Sequence, residues 1–198
     1  MGLLGLRSIL ITWACRLRHA LWCFFRRDIL ELLDMYDINR QFTGKVRQRG
    51  EPRQPGEYGL VVCVWVYDGR GHLLLTRRAP EKSFAGTWEN SGGAAQAGED
   101  SLTAIRRELW EETGIHADPE EFEYLDTSRD DYNFFDHYCL CRDISLEQIN
   151  LLPGETDDVM WAAFDTVHSL IQQGKICRII AEQFLELEKE LLKRQSAQ

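Results

Sequence analysis

Arg107, Glu108, Glu111 and Glu112 crowd into little more than one helical turn of the stretch 93–115, GAAQAGEDSLTAIRRELWEETGI. At about 100° per residue, with Glu108 at 0°, Glu111 falls near about −60° and Glu112 near about 40°. Three carboxylates therefore share one narrow face, beside a stripe of Leu102, Ile105, Leu109 and Thr113 that should be buried. Like charges three and four residues apart repel, and a solvated acidic face is the ordinary meaning of such a pattern. Two features argue for more. The acidic face adjoins the apolar stripe instead of opposing it, so the carboxylates should emerge at the rim of the core. The helix is also fed by Gly92, Gly93 and Gly98, a run that a plain surface helix has no use for. Carboxylates gathered at a pocket edge suit Mg²⁺ or Mn²⁺, hard cations that favour oxygen ligands.

The spacing Gly93, Glu99, Arg107-Glu108-Leu109, Glu111-Glu112, Gly114-Ile115 fits G-x5-E-x7-R-E-U-x-E-E-x-G-U, where U is a bulky aliphatic residue. In this it resembles the box of the Nudix hydrolases, matched at every defined position. The resemblance covers roughly residues 34–192. It implies an α/β fold, a mixed β-sheet sandwiched between helices, with the loop and helix of the box at 93–115. It also implies an Mg²⁺- or Mn²⁺-dependent hydrolase, in which water attacks phosphorus in a nucleoside diphosphate linked to another moiety. Glu108, Glu111, Glu112 and the carbonyl of Gly93 would hold metal. Arg107 would pair with Glu99 or Glu111 and position the carboxylates. Glu111 or Glu112 is the first choice for the base that takes the water's proton, and Glu155 the second.

The elements that must place these groups can be read from pattern. Leu60 to Tyr67 is a continuous apolar run, as in a strand buried on both faces. Asp68 to Gly71 should turn it into a hairpin with 72–78. Arg77 and Arg78 end that second strand beside the Gly-rich loop, where one of them could grip a phosphate. Trp88 could stack on a base or pack the sheet. Phe122 to Thr127 and Asn133 to Cys141 read as strands around a turn at Arg129–Asp131, with Phe134 and Phe135 as core. The acidic loop at 153–158 leads to a last strand, and Glu155 stands in it. Helices at 165–173 and 177–194 close the chain, the second burying Ile180, Phe184, Leu187 and Leu191. Ahead of all this, 34–39 reads as an edge strand and Thr43-Gly44-Lys45 as a turn. That D-x-Y-D-x-N opening resembles the subgroup of the family related to isopentenyl-diphosphate isomerases.

Isomerase chemistry needs a Cys acid and a His-rich metal site. Here the run Trp88-Glu89-Asn90-Ser91-Gly92-Gly93-Ala94-Ala95 offers neither, and Gly59 stands where a His is expected. A non-catalytic nucleotide-binding module is the other alternative, but such proteins usually lose box carboxylates and this chain keeps them all.

Composition bounds the rest. The net charge is −9, yet residues 1–27 carry five Arg and no acid, which leaves 18 basic against 32 acidic residues over 28–198, or −14. So acidic a body argues against duplex nucleic acid, whose binding relies on Lys and Arg at phosphates. It allows a small phosphorylated substrate whose charge a metal offsets. Residues 1–28 form a basic amphipathic segment, and 29–198 the catalytic domain. Leu3, Leu6, Leu10, Trp13, Leu17, Leu21 and Phe24 share one face of the segment. Arg16 and Arg18 interrupt it as a membrane span or secretory signal. An interfacial helix on a membrane surface, an organellar targeting peptide and a dispensable leader remain open readings. The six Cys include no C-x-x-C pair and fit free thiols in a reducing cytoplasm. Dimers are common in the family, which leaves a homodimer open.

Overall fold

The computed structural model describes residues 31–196. The segment 1–27 and the readings attached to it lie outside these residues. Two sheets are formed. The strands β1 (Leu32–Tyr36) and β2 (Phe42–Gln48) make a two-stranded antiparallel ribbon. The main sheet has seven strands: β3 (Gly59–Tyr67), β4 (His72–Arg78), β5 (Trp88–Glu89), β6 (Ser91–Ala94), β7 (Glu123–Arg129), β8 (Asn133–Cys141) and β9 (Thr156–Ala163). Its path runs β5-β4-β3-β8-β7, with β6 added to β3 and β9 to β4. β3 and β8 are parallel and the other pairs antiparallel. Helices α1 (Ser101–Thr113), α2 (Phe164–Gln172) and α3 (Arg178–Ser196) complete the described chain.

β3 is apolar throughout because both of its faces are covered. Leu60, Val62, Val64 and Val66 pack with Ala104, Ile105 and Leu109 of α1. Trp65 and Tyr67 pack with Ile180, Phe184, Leu187 and Leu191 of α3. The result is the expected mixed sheet between helices. Among the described residues no helix is long and apolar enough to cross a membrane.

Two local expectations are corrected. Thr43-Gly44-Lys45 is strand, and the edge strand expected over 34–39 ends at Tyr36 because the chain reverses earlier, at Asp37–Arg40. There the Asp37 carboxylate accepts the N–H groups of Asn39 and Gln41 at 2.9 and 2.8 Å, and Arg40 takes a φ of 61°. Gly44, at φ 76°, sits where the β1–β2 register slips between Met35–Lys45 and Tyr36–Phe42. It serves a bulge, a place where an extra residue and a left-handed backbone fit. The hairpin of β3 and β4 is also short-lived, since the two strands share only the pair Tyr67–Leu73. Beyond it they splay, β6 taking the edge of β3 and β9 that of β4. Both β6 and β5 run along this divide, and the candidate site lies there.

Candidate active site

The Gly-rich strand β6 is held against β3 with almost no space between. A Cβ on Gly92 would fall onto the Val62 carbonyl oxygen, and one on Gly93 would lie 2.5 Å from the carboxyl carbon of Glu108. Glycine at 93 thus lets a helix carboxylate rest on sheet backbone. The loop after β6 is tied down by the ribbon, the N–H of Ala97 donating to the Leu32 carbonyl and that of Gly98 to the Asp34 carboxylate, both at 2.8 Å. Asp100 then caps α1, its carboxylate accepting the N–H of Thr103 at 2.7 Å, and Gly114 ends the helix at φ 72°. Asp100 is thus the N-cap and Gly114 the C-cap of α1.

Arg107 organises the carboxylates. It grips Glu99 through two bonds, Nε to Oε1 at 2.7 Å and Nη2 to Oε2 at 2.8 Å. It also donates to Glu108 at 2.6 Å, to Glu111 at 3.4 Å and to the Ala94 carbonyl at 3.0 Å. Both expected partners of Arg107, Glu99 and Glu111, are therefore engaged. Glu112 accepts the Gly92 N–H at 3.2 Å.

Glu108 and Glu112 line a polar cleft of about 90 Å³, together with Gly92, Gly93, Glu89, Glu155, Arg49, Arg78 and Lys82. Glu111, 5% exposed, is buried and does not line it. Burial pushes the Glu112 carboxyl well above the usual range, and the charges of Glu108 and Glu89 push it the same way. Glu108 is also raised by burial, with Arg107 opposing the shift. A cation beside these two groups would relieve both costs. Among the described residues no three His, Cys, Asp or Glu side chains converge closely enough to clasp an ion by themselves. The residues nevertheless fit a hard divalent ion. Two half-buried carboxylates face one polar cleft, and a glycine leaves room for one of them against the backbone.

The strand end separates the two arginines. The β4–β9 register slips between Arg77 and Arg78, which sends them to different neighbours. Arg78 lines the cleft and donates to both oxygens of Glu89, at 2.8 and 2.6 Å. Arg77 instead meets Asp157 at 2.8 Å and Asp158 at 3.4 Å, and lies over the ring of Trp88 at 5.6 Å. Trp88 packs on the α3 side of the sheet, and neither it nor Arg77 lines the cleft. Glu155 does line it, paired with Lys82.

The structure adds Arg49, Glu89 and Lys82, which pattern reading passed over. Arg49 comes from just beyond the ribbon, pairs with Glu31 at 2.6 Å, and feels the charges of Glu108 and Glu155. Nothing in its polar surroundings in sequence marks it. Glu89, its carboxyl raised by burial against the pull of Arg78, follows Trp88 directly ahead of the glycines, and that adjacency was a signal.

Residues 57–180 match the NUDIX domain family. The chain belongs to the Nudix family. An uncharacterised Nudix hydrolase of Listeria monocytogenes is 30% identical over 148 residues, covering 74% of this chain and 88% of the relative. An isopentenyl-diphosphate isomerase of Pectobacterium atrosepticum is 36% identical over 83 residues, 41% of this chain and 46% of its own length. Among solved structures, the Deinococcus radiodurans protein DR0079 superposes with a TM-score of 0.69 at 24% identity, covering 79% of this chain and 98% of that one. That likeness is one of fold. The Nudix hydrolase reading of the box therefore holds at the level of family and fold, and divalent metals are the general rule in that family.

Proposed function

We propose that this Nudix protein hydrolyses a diphosphate bond in a nucleoside diphosphate linked to another group, with Mg²⁺ or Mn²⁺ as cofactor. The observation that carries the reading is that Glu108 and Glu112, both half-buried, stand at the wall of a cleft that also presents Arg49, Arg78 and Lys82. Carboxylates and cations lining one small polar space match the two needs of the reaction: a metal site, and a seat for phosphate oxygens.

Bound there, the metal would neutralise diphosphate charge and acidify its water. Glu108 and Glu112 would hold it, with Glu111 and the Gly93 carbonyl completing the proposed set. Arg107, locked onto Glu99, keeps Glu108 and Glu111 in place. Arg78 and Arg49 each carry a carboxylate partner already, so they bind phosphate as tethered, oriented groups. Glu112 or Glu111 accepts the water's proton in this reading, with Glu155, which lines the same cleft, as the alternative. Arg77 and Trp88, turned to the α3 side, would act by bracing the strand end.

Residues 29–198 would suffice for this activity, in the cytoplasm, with the basic segment before them free for a membrane surface. The test is a panel of nucleoside diphosphate derivatives with Mg²⁺ or Mn²⁺, read by the phosphorylated products. Release of nucleoside monophosphate that stops on chelation is expected. Tight nucleotide binding with no product under either metal would favour a non-catalytic module instead.

A further inference from the structure

Beside the polar cleft lies a larger cavity of about 340 Å³, and the two share Arg49, Arg78, Glu89, Gly92 and Gly93 in their walls. A ligand with its phosphates at the first would extend its organic part into the second. Much of that wall is apolar, built from Cys63, Phe135, Cys177 and Ile180. Two amides are set into it. Asn90, 3% exposed, comes from the link between β5 and β6, and Gln183, 5% exposed, from α3. Neither Nδ2 nor Oδ1 of Asn90 has a protein partner, and Oε1 of Gln183 has none.

Polar atoms buried in this way are costly to leave unmet, and Leu or Met would fill the same volume without that cost. Several other polar groups around the cavity are already engaged. Arg47 is bound to Glu57, Arg53 donates to Asn133 and the Tyr132 carbonyl, and Asp130 accepts two backbone N–H groups. Among the described residues, the unspent hydrogen-bonding capacity of the buried side chains in this wall therefore sits in the two amides. An amide presents a donor and an acceptor side by side, which complements the edge of a heteroaromatic ring carrying both. The apolar wall suits the faces of such a ring.

We infer that Asn90 and Gln183 form a recognition pair for a planar heteroaromatic base, so that the nucleoside half of the substrate occupies this cavity. The inference rests on the proposed diphosphate hydrolysis and adds where, and by which residues, the base is read. Gln183, with the longer side chain, swings toward the ring edge, and Asn90 fixes the ring from the strand side.

The test uses the full chain, the Gln183→Met and Asn90→Leu variants, and two substrates: a nucleoside diphosphate derivative that the wild type cleaves, and its abasic ribosyl counterpart. The ratio of kcat/KM between them is expected to fall about tenfold or more in each variant, with Tm equal to or above wild type, since an unmet polar group has been replaced by an apolar one of like size. An unchanged ratio overturns the inference. A lowered Tm with both substrates impaired alike assigns the amides to a structural role, and overturns it too. Equal loss on both substrates at unchanged Tm assigns them to the sugar, again against a base. If the wild type cleaves nothing, the hydrolase reading fails separately. Calorimetric binding of a nucleoside monophosphate, weaker in Gln183→Met than in wild type, then still supports the recognition pair, and equal binding rejects it.

Discussion

Helices α1 and α3 are both rich in Glu, yet their carboxylates live differently. On α3, Glu182 and Glu186 are exposed, and Glu182, Glu188 and Glu190 meet Arg178, His168 and Arg194 at 2.7, 2.6 and 2.9 Å. These are surface and rim pairs of the kind that contribute little. On α1, Glu111 is buried, and Glu108 and Glu112 are pressed against sheet backbone with their carboxyls raised by burial. The residue type and the spacing are alike. The backbone each helix packs on is different: two glycines lie under α1, whereas α3 rests on Trp65 and Leu75. Room for a carboxylate beside a strand turns an ordinary acidic helix into a site.

The comparison breaks most visibly at the carboxylates. Glu112→Gln and Glu108→Gln are expected to lower kcat about 10³-fold, and Glu111→Gln by a comparable factor, because each removes a proposed metal donor or base. Circular dichroism should be unchanged, and Tm no lower in Glu108→Gln and Glu112→Gln, whose carboxyls desolvation raises. Glu186→Gln on α3 should leave both activity and Tm at wild type. Wild-type rates in all three α1 variants would erase the distinction between the helices.

The glycines sharpen it next. In Gly93→Ala the new Cβ meets the end of the Glu108 side chain, which can yield, so turnover should fall about 100-fold while the fold stands. In Gly92→Ala it meets the backbone of Val62 and Cys63, which cannot. That variant should lose about 2 kcal/mol or more of stability in urea unfolding.

A smaller effect comes from metal binding without substrate. Mg²⁺ or Mn²⁺ at about 100 times its Kd should stabilise the wild type by about 2.7 kcal/mol, and Glu108→Gln should abolish most of the shift in thermal melts. The smallest effect concerns Glu57, a carboxylate displaced in the opposite sense. Arg47, the Gln54 N–H and Lys45 hold its carboxyl down at about 2. A folded pKa below the unfolded value of 4.5 stabilises above that value and is lost as pH falls from 4.5 towards about 2. Glu57→Gln should flatten that part of the acid unfolding curve and leave turnover at neutral pH unaltered.

The box was readable because its meaning is local: glycines and charges at helical spacing all lie within 93–115. The run of β3 and the stripe of α3 were readable for the same reason, since each reports its own burial. What escaped depends on partners far away in sequence. Gly44 reads as a turn until β1 is seen to slip against β2. The hairpin of β3 and β4 looks complete until β6 and β9 take its edges. Neither Arg77 nor Arg78 is favoured by type or position, and a one-residue slip against β9 separates their roles. Arg49 has no local mark at all, because it enters the cleft by way of the ribbon.

The parallel pairing of β3 with β8 has a consequence for how the molecule comes to be active. Parallel neighbours need a long crossover, and here the loop between Tyr67 and Asn133 contains β4, the Gly-rich strand and α1 themselves. Closing it is among the most non-local events in the chain, and such contacts form slowly. Recovery of catalysis during refolding should therefore lag behind recovery of helix content, as the centre of the sheet zips last around the carboxylates it presents.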